Sequence, residues 1–97
     1  MKNIFRIVNI GEPQVIQRKD GTESIKQQLT LREQGGQYED AYLVTWFGSE
    51  PLRITPGMCI AASIRFRVNE ATYATGSVPD TRYYQDAVLQ EYACLML

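Results

Sequence analysis

The sequence predicts an all-β domain: a small closed sheet of five strands, with one short helical turn between the third and the fourth. Three observations predict it. Apolar residues recur with a period of two rather than about 3.6 in most segments. Turn chemistry punctuates the chain at Gly11-Glu12-Pro13, Asp20-Gly21, Gly35-Gly36 and Pro56-Gly57. The chain has 97 residues, which suits a single domain over 1–97 with a modest core.

Residues 3–10, NIFRIVNI, are β-branched and aromatic, with Ile4, Val8 and Ile10 on one parity and Phe5 and Ile7 on the other. Gly11-Glu12-Pro13 bends or bulges this strand, and Val15-Ile16 reads as its continuation. RKDG, residues 18–21, is a turn whose Asp20-Gly21 pair signals a hairpin. Residues 24–33 put Ile25, Leu29 and Leu31 on one face and Lys26, Gln28, Thr30 and Arg32 on the other, the pattern of a half-buried strand. GGQYED, residues 35–40, is the next turn, and YLVTWF, residues 42–47, is the third strand.

Gly48 then ends the third strand where the chain must turn sharply. In GSEPLRIT, residues 48–55, Ser49 and Pro51 form a helix-start signal, with room for one turn before Pro56. Pro56-Gly57 is a tight turn, proline fixing φ and glycine free to take a positive one. Residues 58–69 form the fourth strand: Ile60, Ala62, Ile64, Phe66 and Val68 alternate with Ala61, Ser63, Arg65, Arg67 and Asn69. EATYATGSVPDT, residues 70–81, is small and polar and reads as a long loop. Residues 82–92 are the fifth strand, and ACLML is an apolar tail. Five strands with a connecting element between the third and fourth describe an OB-type barrel. A β-sandwich, which usually needs about seven strands, and an SH3-like barrel are its rivals.

Composition narrows the function. Hydrophobic residues make up 44% and charged residues 22%, ordinary values for a globular chain. The longest apolar run falls far short of the roughly 20 residues of a membrane span. The start, MKNIFRIVNIGEP, has no long apolar stretch with a cleavage site, so neither a membrane partner nor secretion is expected. Cys59 and Cys94 are far apart in apolar settings and read as buried free thiols of a cytoplasmic protein, with a disulfide or a redox role as the alternative. With no histidine there is no Ser-His-Asp arrangement, no Cys-His pair and no histidine metal site. Two separated cysteines make no zinc knuckle, and Gly35-Gly36 sits in a polar turn rather than a phosphate loop. No cofactor and no enzymatic activity are expected. A net charge of −1 excludes capture of polyanions by the whole surface and leaves room for a local basic face.

Four segments, in order and at nearly matching spacing, resemble the bacterial single-stranded-DNA-binding protein family. NIFRIVNIGEP resembles its first strand with a glycine-containing bend. YLVTWFG resembles its third strand, closing on Phe-Gly. ITPGMCIAASIRF resembles its glycine turn entering an alternating strand, and RYYQDAVLQEYACLML its last strand. The resemblance covers nearly the whole chain and is to a short, tailless member. It implies an OB fold that binds single-stranded DNA, or RNA as the second polymer, without strong sequence preference. It also implies a role in DNA replication, repair or recombination, and assembly into a homodimer or homotetramer. Two positions depart from the family. Ala41 stands where a tryptophan is frequent, six residues before Phe47, and Ala71 where another stacking tryptophan lies. Phe47 matches the base-facing aromatic, and Tyr73, two residues beyond Ala71, is the candidate substitute for the second ring.

A single-strand surface needs exposed rings flanked by cations. Phe47 faces out if Val44 and Trp46 fill the interior; rim packing or a subunit contact is the alternative for it. Trp46 and Tyr42 read as core by parity. Arg65 and Arg67 alternate outward with Phe66 inward between them. They suit phosphates, a solvated face, or pairing with acids such as Asp86. Lys26 and Arg32 join them if strands two to four share one surface. Arg18 and Lys19, in the first hairpin loop, and Tyr73, in the 70–81 loop, occupy the loops that touch nucleic acid in OB folds. An exposed polar turn explains Arg18 and Lys19 equally well. Tyr83 and Tyr84, being adjacent, point to opposite sides. The first strand, apolar on both parities, and the tail Ala93 to Leu97 point to self-association. The competing reading is an OB-type protein-interaction or assembly module that has lost strong nucleic-acid binding, favoured by Ala41, Ala71 and a pI of about 5.3. A sugar-binding domain has no positive support in the sequence.

Overall fold

A computed structural model describes residues 1–76 and 78–95. They form six strands: β1 (Lys2–Ile10), β2 (Gln14–Gln17), β3 (Glu23–Glu33), β4 (Ala41–Gly48), β5 (Cys59–Thr75) and β6 (Val78–Cys94). The chain is all-β, with no helix among the described residues. The bend at Gly11–Pro13 forms as the sequence pattern predicts. β1 and β2 are one strand broken at Gly11–Pro13, and both pair antiparallel with β3. Gly11 donates its N–H to the Gln28 carbonyl at 2.7 Å, so close that a Cβ on Gly11 would stand 3.1 Å from that oxygen.

β3 pairs with β4, β4 meets β6 in parallel at the single pair Thr45–Val88, and β6 pairs with β5. β5 returns to β1, so the sheet closes on itself as an uneven ring whose thinnest seam is β4–β6. Closure removes most open edges. Inside lie Phe5, Ile7, Leu29, Leu31, Val44, Ile60 and Ile64, all fully buried, with Leu89 and Ile54 beside them. Each large side chain of this kind contributes roughly 1.5–3 kcal/mol by leaving water.

The helical turn expected between the third and fourth strands is absent. Residues 49–58 cross as irregular chain. Ile54 is drawn into the core, and the Leu52 N–H donates to the Gln27 side-chain oxygen at 3.0 Å. A single helical turn would carry the nucleation cost of a helix and forfeit both contacts. The Pro56-Gly57 turn forms as expected: Gly57 has φ +93°, and its N–H donates to the Ile7 carbonyl at 2.8 Å. Gly48 owes its identity to a contact rather than to a sharp bend. The Trp46 indole lies over it, and a Cβ there would collide with the ring.

The largest correction concerns residues 70–81. The expected loop is the outer half of a two-stranded arm: β5 and β6 pair from Ile60–Cys94 out to Thr75–Val78, and the chain leaves β5 at Gly76, φ +69°. Thr72, Tyr73, Val78 and Thr81 suit a strand, and glycine supplies the turn. The arm outruns the ring and gives the molecule extents of 58 × 38 × 19 Å. Phe66 and Val68 keep the inward parity yet stand 39% and 65% exposed, because the ring ends before they do. Phe66 leans on Tyr42, which meets Phe5 edge to face with centroids 6.2 Å apart, closing that end of the core.

The cysteines also differ from expectation. Both are free, but Cys59 is half-buried and Cys94 exposed at the rim. Met96 and Leu97 of the apolar tail lie outside the described residues. No helix among the described residues is long and apolar enough to cross a membrane.

Candidate nucleic-acid interface

Side chains that point away from the core on β3, β4, β5 and β6 fall into rows fixed by strand register. Arg65, Val88, Thr45 and Gln28 form one row. Their chain neighbours Ile64, Leu89, Val44 and Leu29 are buried, which fixes this face as the outer one. Two residues along β4, Phe47 stands directly opposite Lys26 on β3. Phe47 is 40% exposed, with Val44 buried and Trp46 half-buried behind it, so the parity argument for its outward aim holds. In the other direction Arg67 lies opposite Asp86, and Thr30 opposite Leu43. One row further, Arg32 opposes Ala41 on one side and Arg6 on the other.

Topology therefore brings four expected cations, Lys26, Arg32, Arg65 and Arg67, onto the outer side of one continuous sheet. They are four of the ten Lys and Arg residues in a chain of net charge −1. Their freedom differs. Arg65 has no ion pair among the described residues. Arg67 pairs with Asp86 at 3.6 Å, as the sequence allowed, and Asn69 also donates to that carboxylate. Arg32 donates from Nη1 to the Glu39 carbonyl at 3.1 Å, across a loop in which Glu39 takes φ +48°.

Arg18 and Lys19 sit where expected, exposed in the turn between β2 and β3. The turn is fixed locally. The Arg18 N–H donates to the Thr22 carbonyl at 2.8 Å, and the Thr22 hydroxyl and N–H donate to Asp20 at 2.6 and 3.0 Å. Those two bonds hold the Asp20 carboxyl below its usual range. By register the turn lies at the Lys26–Phe47 end of the face.

Tyr73 is on a strand, not in a loop, and it has company. Its hydroxyl lies 3.4 Å from that of Tyr84, and the Arg82 guanidinium stands 5.5 Å from its ring centroid. The bond from Tyr84, then partial desolvation, raises the Tyr73 pKa, so the ring stays neutral at ordinary pH. Arg82 is also paired with Asp80 at 3.3 Å. Arg82 is not among the residues expected from the sequence, and adjacency alone sends Tyr83 and Tyr84 to opposite sides without saying which of them joins Tyr73. The one sequence signal is Gly76 between the β-prone Tyr73 and Val78, and the β5–β6 register sets Tyr73, Arg82 and Tyr84 on one side. Tyr83 takes the other side, opposite Glu70.

The expected residues share a face but not a point. From Phe47 to Tyr73 the strand path is roughly 30 Å, from about 3.3 Å per residue over two residues of β4 and eight of β5. The face is an elongated track with one ring and a cation at one end, two tyrosines and an arginine at the other, and Arg65 and Arg67 between. Compared with protein-family models, with curated proteins and with solved structures, the chain gives no match.

Proposed function

We propose that this chain is an OB-type domain that binds single-stranded DNA without sequence preference, as a homodimer or homotetramer, in DNA replication, repair or recombination. The observation that carries the proposal is the cross-strand pairing of exposed Phe47 with Lys26, on the same outer face as Arg65 and Arg67. A stacking platform beside cations is what a single strand requires, since every base offers a π-face and every nucleotide a phosphate. The closed ring, entered by β6 between β4 and β5, supports the OB part of the reading. RNA offers the same chemistry and is the second polymer to try.

The test is a titration with dT oligomers at low salt, followed by intrinsic Tyr and Trp fluorescence. Quenching that weakens as salt rises is the expected result. Absence of binding at low salt overturns the proposal.

One set of observations favours a second reading, a protein-interaction module on the same scaffold. Ala41 occupies the outer face beside Arg32, and Asp80 and Asp86 neutralise Arg82 and Arg67. Capture of a protein partner by a chain that ignores DNA would decide for it.

A further inference from the structure

The outer face of β1, β5 and β6 has a different character. Register sets it out in rows: Lys2, Ser63 and Glu91; then Ile4, Ala61 and Ala93; then Arg6 beside Cys59. Its floor is made of small side chains, and Ile4 projects from one side, 44% exposed. A shallow groove of about 450 Å³ runs over the first two of these rows, with Lys2 and Glu91 on its two sides. Two strand spacings put those two charges roughly 10 Å apart. Neither has an ion-pair partner among the described residues.

We infer that this face packs against the same face of a second copy, and that its charges choose the arrangement. Consider a twofold axis in the plane of contact and parallel to the strands. Each β1 position then lies over the same row of β6 in the other copy. Lys2 meets Glu91 of the partner subunit, twice by symmetry. Ile4 settles onto Ala93 of the partner subunit, and Ala61 faces its own counterpart. A twofold axis across the strands would instead set Lys2 against Arg6 of the partner subunit, like charge on like, which disfavours it. Small residues in the middle row allow the sheets to approach to the roughly 10 Å of packed β-layers. The track from Phe47 to Tyr73 lies on other strands or further along the arm and stays open.

The inference names the surface for the self-association in the proposed function and is independent of nucleic-acid binding. Its test is sedimentation velocity across a wide concentration range, with circular dichroism as a check on folding. Lys2→Glu alone and Glu91→Lys alone each turn two attractive contacts into two repulsive ones and should weaken association on the order of tenfold or more. The double variant Lys2→Glu with Glu91→Lys should restore it. Ala61→Arg, at an outward position on the floor of the groove, should also dissociate the assembly, with circular dichroism checking that the variant folds. A wild-type assembly unmoved by the single reversals and by Ala61→Arg overturns this surface alone. A wild-type chain that stays monomeric throughout overturns both the surface and the self-association in the proposed function.

Discussion

Replacing Gln27 with methionine should destabilise the fold by about 2–4 kcal/mol, although it touches no part of the candidate interface. Gln27 is 5% exposed and its amide works at both ends: Nε2 donates to the Gly11 carbonyl and Oε1 accepts the Leu52 N–H, each at 3.0 Å. It thereby ties the β1–β2 bend and the irregular 49–58 crossing to β3. Methionine keeps the length of the side chain and removes both bonds. An unsatisfied buried group costs roughly 1–3 kcal/mol; the Gly11 residue is partly exposed, so water offsets some of the loss there. For a domain of this size the midpoint should fall by about 8 °C or more. Equilibrium urea unfolding measures the change, with Gln28→Met on the exposed face as a control expected within about 0.5 kcal/mol of wild type. A Gln27→Met protein as stable as that control would refute the idea that this amide holds the crossing in place.

Three further expectations concern the interface and its flanks. Phe47→Ala should weaken binding of dT oligomers by about 1–3 kcal/mol, the contribution of one stacked base; unchanged affinity in a fluorescence titration removes Phe47 from the site. Arg65→Ala combined with Arg67→Ala should lower affinity at low salt and flatten the logarithmic salt dependence by about 2, if each contacts one phosphate. An unchanged slope would mean that neither touches the backbone. The Asp20 carboxyl lies below its reference value of 3.8 in the folded chain, held there by Thr22, so its contribution to the β2–β3 turn is present above that value and is lost as pH falls through the lowered one. Thr22→Val should raise the Asp20 pKa toward 3.8 in an NMR titration, and an identical titration curve would show that the hydroxyl bond is not formed.

Period two made most of the ring legible, and its failures have a common physical origin. Alternation tells which side of a strand a residue faces, not how far the sheet behind it extends. Phe66 and Val68 continue the inward parity of Ile60, Ala62 and Ile64, but the ring stops and the same face becomes solvent-exposed arm. The arm itself was hidden by composition. Residues 70–76 and 78–81 hold one large aliphatic, the exposed Val78, because neither face of this ribbon meets the core, and an exposed ribbon resembles a loop in polarity. The missing helical turn failed for another reason. Ser49 and Pro51 are a valid local start signal, yet Ile54 and Gln27 supply contacts that a helical path would lose. Register was the part of the site beyond reach of the sequence. That Lys26 stands opposite Phe47, and Arg32 opposite Ala41, depends on the length of the 34–40 loop and on where pairing resumes after it.

The two functional readings meet at Arg67 and Arg82, because each already has a carboxylate partner on the face that would take phosphates. Magnitude decides how much this matters. The Arg67 and Asp86 side chains are 44% and 45% exposed, and an exposed pair of this kind contributes between nothing and about 1 kcal/mol. A phosphate bound by charge-assisted donors releases counterions at low salt, a gain that exposed ion pairs do not make. The arginines are therefore available to a polyanion, at reduced advantage compared with Arg65, whose charge is unopposed among the described residues. Binding on this face should accordingly be weak and steeply salt-dependent, anchored at Phe47, Lys26 and Arg65 and reaching the tyrosine end of the arm only with longer oligomers. Length dependence thus separates the two readings as sharply as affinity does: a nucleic-acid track gains affinity until the strand spans it, and a protein-docking face gains nothing from added nucleotides.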